Sequence, residues 1–253
     1  MFLQKRGCCG NTRKFYFKAL RAILNRANAE GVGSAATYPF GRGGFEVSKL
    51  EEATAKRYLP AAELSKLKSA TANNPQCEYA RKLFLFSYYC YGISFIDMAM
   101  LTAAHIKQME DGDYIVYKRQ KIKRQKGVKP ISIKITPAIR QLIESLQAAS
   151  PTVDDFLLPV VTRSGYTGER LYMHIRTRYS KYQKYLRLLA EELGIDFHLT
   201  SYVSRHTAAM TLQRNHIPRE VISQMLGHAD LETTNIYLDS FDNEVINEAA
   251  KVL

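Results

Sequence analysis

Residues 170–193 keep helical spacing for six turns before Gly194 ends them, and at about 1.5 Å of rise per residue such a helix runs some 36 Å. A helix that long needs apolar neighbours along its buried stripe. The rest of the chain supplies them. Pro137 sits at a helix N1 position and opens a helix to about residue 149, while Pro75 opens another that carries Leu83, Phe84 and Phe86 to about residue 91, where Gly92 stops it. Shorter helices are predicted at 97–104, 203–215, 219–226, 233–238 and 243–252. Two strand-like segments, 105–109 and 114–119, flank an Asp111-Gly112-Asp113 turn, and Ile131, Ile133 and Ile135 alternate with polar residues as a third strand. The pattern predicts a mainly α fold with one small antiparallel β-sheet.

The N-terminal region reads differently. Asn11 and Thr12 offer N-caps for a helix whose apolar positions are Phe15, Leu20, Ile23, Leu24 and Ala27, with Gly31 and Gly33 as its stop. Only ten residues precede it, so its apolar face is expected to pack on partners outside this chain. The glycine-rich YPFGRGGFEV at 38–47 reads as an extended linker. The expected division is a partial helical domain at 1–36, a linker at 37–58 and a main domain at 59–253.

Lys and Arg number 36 against 24 Asp and Glu, a formal charge of +12, which points to a polyanionic partner. Cys8, Cys9, Cys77 and Cys90 have neither zinc-site spacing nor the pattern of a disulfide framework, so a reducing, cytoplasmic setting is expected. No apolar run is long enough to span a bilayer or to act as a signal. Neither metal nor membrane is expected.

Four features carry chemistry: Ser204-Arg205-His206-Thr207, Leu226-Gly227-His228, Tyr237 nine residues after His228, and Lys121 within YKRQKIKRQKGVK at 117–129, where seven of thirteen residues are basic. Each is common in a purely structural role. Their order and spacing add the specificity. The segment LTSYVSRHTAAMTLQRNHIPREVISQMLGHADLETTNIYL, 199–238, resembles the C-terminal signature of the tyrosine recombinase (phage integrase) family. FSYYCYGISFIDMAML resembles that family's first catalytic box, and NTRKFYFKALRAILNRANAEG resembles part of its helical core-binding domain. The likeness is nearest to integrases of Bacteroides-type mobile elements.

That resemblance implies a tyrosine recombinase catalytic domain preceded by a fragment of the core-binding domain. It also implies an enzyme that cleaves and rejoins duplex DNA through a 3′-phosphotyrosine on Tyr237, with no cofactor. Growing charge on the phosphate oxygens needs converging fixed donors. Arg205 suits this because its planar fork grips two oxygens and keeps its charge, and His228 can donate to the same phosphate. By resemblance Lys121 protonates the leaving 5′ oxygen, with Lys123 and Lys126 as rivals. The expected partners are double-stranded DNA, other protomers in a synaptic tetramer and DNA-bending accessory proteins, in the bacterial nucleoid.

The chain departs from the family pattern in several places. Where most relatives have Gly-Leu-Arg, it has Gly92-Ile93-Ser94, and losing one transition-state donor typically costs on the order of 3 kcal/mol. Arg119 is the expected substitute cation. Tyr202 replaces a histidine three residues before Arg205 and is a poor base at neutral pH, which leaves His198, one turn earlier, as a second candidate. Tyr91 stands where similar integrases favour arginine. Complete members carry a whole core-binding domain, so weak DNA binding is expected of a chain with one helix of it. The alternatives are a DNA-binding relative that keeps the fold without cleavage, and a topoisomerase-like relaxing enzyme indifferent to sequence.

Overall fold

A computed structural model describes residues 2–41, 43–52, 57–228, 231–235 and 238. They fall into two compact units, Met1–Ala55 and Lys56–Leu253.

In the first unit a short helix α1 (Phe2–Lys5) precedes α2 (Gly10–Ala29). Helix α2 starts ahead of the predicted caps, with Cys9 in the extended N-cap conformation and its Sγ 3.3 Å from the Thr12 hydroxyl. Gly31, at φ 73°, turns the chain out of the helix in the left-handed conformation that favours glycine. The stretch read above as an extended linker is instead folded back along α2. Phe45 and Phe40 pack their rings 4.6 and 6.4 Å from Phe17. The Asn11 amide donates to the Glu52 carbonyl at 2.7 Å and Lys14 pairs with Glu51 at 2.6 Å. Glycine content suggested a linker, but the aromatic residues on either side of the glycines decide the conformation. The opposite face of α2 leaves Phe15 69% and Ile23 66% exposed.

The second unit is built around α4 (Pro75–Tyr89), whose Leu83, Phe84 and Phe86 are wholly buried against α6 (Pro137–Ala149), α7 (Gly168–Glu192) and α8 (Ser201–Arg214). Its start follows from the sequence: the Asn74 side chain caps the Gln76 amide at 2.8 Å and Pro75 needs no partner for its nitrogen. Helix α3 (Ala61–Ser69) lies against α4. Strands β1 (Ile106–Met109), β2 (Gly112–Tyr117) and β3 (Ile131–Lys134) form an antiparallel sheet in that order. Met109 pairs with Gly112, which centres the tight turn on Glu110 and Asp111, one residue before the expected position. Ile115, Tyr117, Ile131 and Ile133 face the core, as period-two alternation requires.

Several boundaries differ from the expected ones. Helix α5 (Phe95–Ala99) begins before residue 97 because the Ser94 hydroxyl caps it. Strand β2 ends at Tyr117 rather than 119, where the chain turns to give the Gln120 amide to Asp97. Helix α10 (Leu231–Asn235) begins two residues ahead of the predicted start and follows α9 (Arg219–Leu226). The helix expected at 243–252 lies outside the described residues. Among the described residues no helix is long and apolar enough to cross a membrane.

Candidate active site

Helix α4 ends in a tight turn that prepares the site. Tyr91 and Gly92 take left-handed angles, φ 57° and 71°, and the Gly92 amide donates to the Ser87 carbonyl at 2.7 Å. The turn brings the Gly92 backbone against α8 so closely that a Cβ there would overlap the backbone and side chain of Arg205. Glycine is therefore required twice over, by its angle and by the close approach. The Gly92 carbonyl, freed from any helix, accepts from Arg205 Nη1 at 3.0 Å.

Arg205 is 4% exposed. Its Nη2 donates to the Leu226 carbonyl at the end of α9 and to His228 Nε2 at 2.9 Å. Helix α9 ends on Gly227 in the left-handed conformation, φ 63°, which swings His228 back toward Arg205. A Cβ on Gly227 would strike Ile131 of β3 and crowd Arg119. Arg119 in turn donates from Nη1 to the Gly227 carbonyl at 3.2 Å. Arg205, His228 and Arg119, up to 109 positions apart in the chain, thus meet around one helix end.

Beside them opens a cavity of about 420 Å³ lined by Arg205, Arg119, Ser94, Tyr202 and Arg176, with Ile93, Phe95, Ile96 and Ile175 as apolar wall. Ser94, in the place of the family's arginine, faces this space and ties its hydroxyl to Asp97 Oδ2 at 2.6 Å. Asp97 is 3% exposed and its other oxygen accepts from the Gln120 amide at 2.7 Å, so one carboxylate joins the α5 start to the segment that carries Arg119. Tyr202 lines the cavity, 54% exposed, with its ring edge-on to His206 at 4.9 Å. Tyr117 lies beneath. Burial pushes its phenol well above the ordinary range, with the Asp97 charge adding to the rise and Arg205 and Arg119 opposing it, so it stays protonated.

Not every expected residue joins this group. Lys121 does not line the cavity; it lies with Ile122, Lys123 and Arg124 on a separate cleft of the basic turn. His198 lies with Gln183, Lys184 and Arg187 at another surface cleft. Tyr237 is outside the described residues, although Thr234 and Leu238 close to it in the chain are 0% and 2% exposed. Leu238 belongs to a small apolar cluster with Ala209, Met210, Ile222 and Leu226. Sequence reasoning missed Asp97, Arg176, Thr234 and the two carbonyls that hold Arg205. A Ser-x-x-Asp spacing at Ser94 was a readable capping signal for Asp97, whereas nothing local marks Arg176 or the carbonyls. Among the described residues no three His, Cys, Asp or Glu side chains cluster as metal ligands do.

The model of the Phage integrase family matches residues 57–244, which span the entire cluster. The chain belongs to the phage integrase family. A tyrosine recombinase of Pseudothermotoga lettingae is 25% identical over 134 residues, 53% of this chain and 42% of the relative. The Tn1549 transposon integrase in complex with transposon right end DNA superposes with a TM-score of 0.69 at 13% identity, covering 99% of this chain and 82% of that one. A lambda integrase dimer bound to a COC′ core site gives 0.62 at 14% identity, covering 95% and 80%. At these identities the two structures establish the phage integrase fold: helices enclosing a small antiparallel sheet. The chain spans less than half the length of the curated relatives it matches.

Proposed function

We propose that this phage integrase family member is a site-specific recombinase that cleaves and rejoins duplex DNA with Tyr237 as nucleophile. The observation that carries the reading is the meeting of Arg205, His228 and Arg119 beside an open cavity, with no acidic side chain among the described residues that line it. A DNA phosphate entering there meets the guanidinium groups of Arg205, Arg119 and Arg176, with the His228 imidazole 2.9 Å from Arg205. Arg205 offers a fork already oriented by backbone carbonyls, so little reorganisation accompanies charge development. Arg119 supplies the charge that Ser94 lacks.

In the proposed reaction the Tyr237 oxygen bonds to phosphorus as the bond to the 5′ oxygen breaks. The phenol proton leaves to solvent or to a base, for which Tyr202 at the cavity wall is the candidate, and the 5′ oxygen takes a proton from Lys121, with Lys123 and Lys126 as rivals. The phosphotyrosine keeps the energy of the broken bond, and attack by a new 5′ hydroxyl reverses the step. Residues 59–253 form the catalytic domain in this reading. Residues 1–36 are part of a DNA-clamping helical domain, joined through 37–58, on which Phe15 and Ile23 are exposed. The substrate is double-stranded DNA, the working assembly includes further protomers and accessory proteins, and the setting is a Bacteroides-type mobile element.

Incubation with nicked suicide duplexes tests this. A denaturation-resistant protein–DNA species that disappears in Tyr237→Phe is expected; DNA binding without that species would leave a fold-retaining DNA-binding relative. Relaxation of plasmids lacking any preferred site would instead indicate a topoisomerase-like enzyme.

A further inference from the structure

His228 is held from two sides. Its Nε2 lies 2.9 Å from Arg205 Nη2 and its Nδ1 lies 2.8 Å from the hydroxyl of Thr234, a fully buried residue of α10. An arginine is a donor only, so Nε2 must be the acceptor in that contact, and a neutral imidazole with Nε2 as acceptor carries its hydrogen on Nδ1. Nδ1–H therefore donates to Thr234 Oγ1. The DNA-free protein holds His228 as the tautomer whose lone pair faces the cation, the opposite of what a phosphate oxygen requires.

We propose that Thr234 is a positioning residue that locks His228 in the Nδ1–H form, so that His228 can donate to a DNA phosphate only by taking up a proton at Nε2. The inference rests on the recombinase reading and deepens it: binding of the scissile phosphate is coupled to protonation of this site. When a phosphate oxygen displaces the Arg205–His228 contact, Arg205 Nη2 turns its hydrogen to the phosphate. Nε2 gains a proton from solvent and donates to the same group, while Thr234 keeps accepting from Nδ1–H and so supports the imidazolium. Among the described residues, the groups facing His228 include Arg205 from α8, Thr234 from α10 and, across the Gly227 carbonyl, Arg119. Both arginines oppose protonation until the phosphate arrives, and the phosphate reverses that balance. Thr234 also lies three residues before Tyr237, so the same hydroxyl ties the nucleophile's segment to the phosphate site.

Nitrogen NMR of histidine-labelled protein without DNA, with His228→Gln to identify the signal, is expected to show the Nδ1–H tautomer at pH 8. Calorimetry of binding to an intact duplex in buffers of different ionisation enthalpy is expected to show about one more proton taken up per bound protomer by the wild type than by His228→Gln. Thr234→Val should lose most of that uptake. It should lower maximal cleavage about tenfold with little change in half-saturating DNA, and move the alkaline fall of the rate to lower pH, while Thr234→Ser keeps wild-type behaviour. An Nε2–H tautomer in the free protein, or equal uptake in wild type and His228→Gln, overturns the proposal. If a Tyr237-dependent adduct forms all the same, only the coupling fails; if no adduct forms, the recombinase reading falls and takes the coupling with it.

Discussion

Two basic regions of this molecule solve different problems. In the turn at 117–129, Lys118, Lys121, Lys123, Arg124, Lys126 and Lys129 are exposed and lie among neighbours of their own sign. At the head of α8 a single guanidinium, Arg205, is 4% exposed and held by two carbonyls and an imidazole. Exposed cations act by number, releasing counterions wherever they meet a phosphate. A buried cation acts by aim, because its direction is fixed before the substrate arrives and desolvation strengthens every contact it makes. Arg119 stands between the two regimes: it belongs to the basic turn by sequence and to the buried group by its bond to the Gly227 carbonyl.

The comparison is exposed to substitution, and the largest effect belongs to Arg205→Ala. Adduct formation should fall by about a thousandfold or more, and the protein should lose about 1–3 kcal/mol of stability because the Gly92 and Leu226 carbonyls lose their donor. A stopped adduct assay with a thermal melt reads both. Arg119→Ala comes next, with cleavage down on the order of a hundredfold or more and DNA affinity kept. Equal losses of rate and affinity would return Arg119 to the exposed class and break the distinction. Asp97→Asn acts one step further away, through the aim of Arg119, and should lower the rate about tenfold with half-saturating DNA unchanged. The smallest effect at saturation is expected for Lys129→Ala and Arg124→Ala. Each should weaken binding and flatten the salt dependence by about 0.9 in the logarithmic slope, with saturated cleavage unaltered. The same titration on Lys121→Ala, Lys123→Ala and Lys126→Ala identifies the general acid as the one whose loss lowers saturated cleavage.

The aimed region and the exposed turn were also unequally legible. Helices α6 and α9 lie where Pro137 and the Leu-Gly-His element put them, since proline at a helix start and glycine at its end are local signals. The juxtaposition of Arg205 with His228 was implied by the family resemblance of their motifs, and the alternating isoleucines marked the buried face of the sheet. Contacts of main-chain carbonyls left no such trace. Any residue carries a carbonyl, so nothing in the letters marks Gly92 and Leu226 as the acceptors that orient Arg205. Strand β2 lies two residues ahead of the expected 114–119, and it ends at Tyr117 because Asp97, distant in sequence, takes the Gln120 amide out of the sheet. The glycines of 38–47 suggest an extended stretch, whereas its conformation is set by the packing of Phe40 and Phe45 on Phe17, a contact between residues distant in sequence.

The most direct test of a phosphate site served by Tyr237 is the address of the covalent bond. Tryptic digestion of the trapped adduct should yield peptide 220–251, in which Tyr237 is the only tyrosine, carrying the mass of a 3′-linked nucleotide. A nucleotide on any other peptide, Tyr202 or Tyr179 at the cavity wall included, would contradict the account.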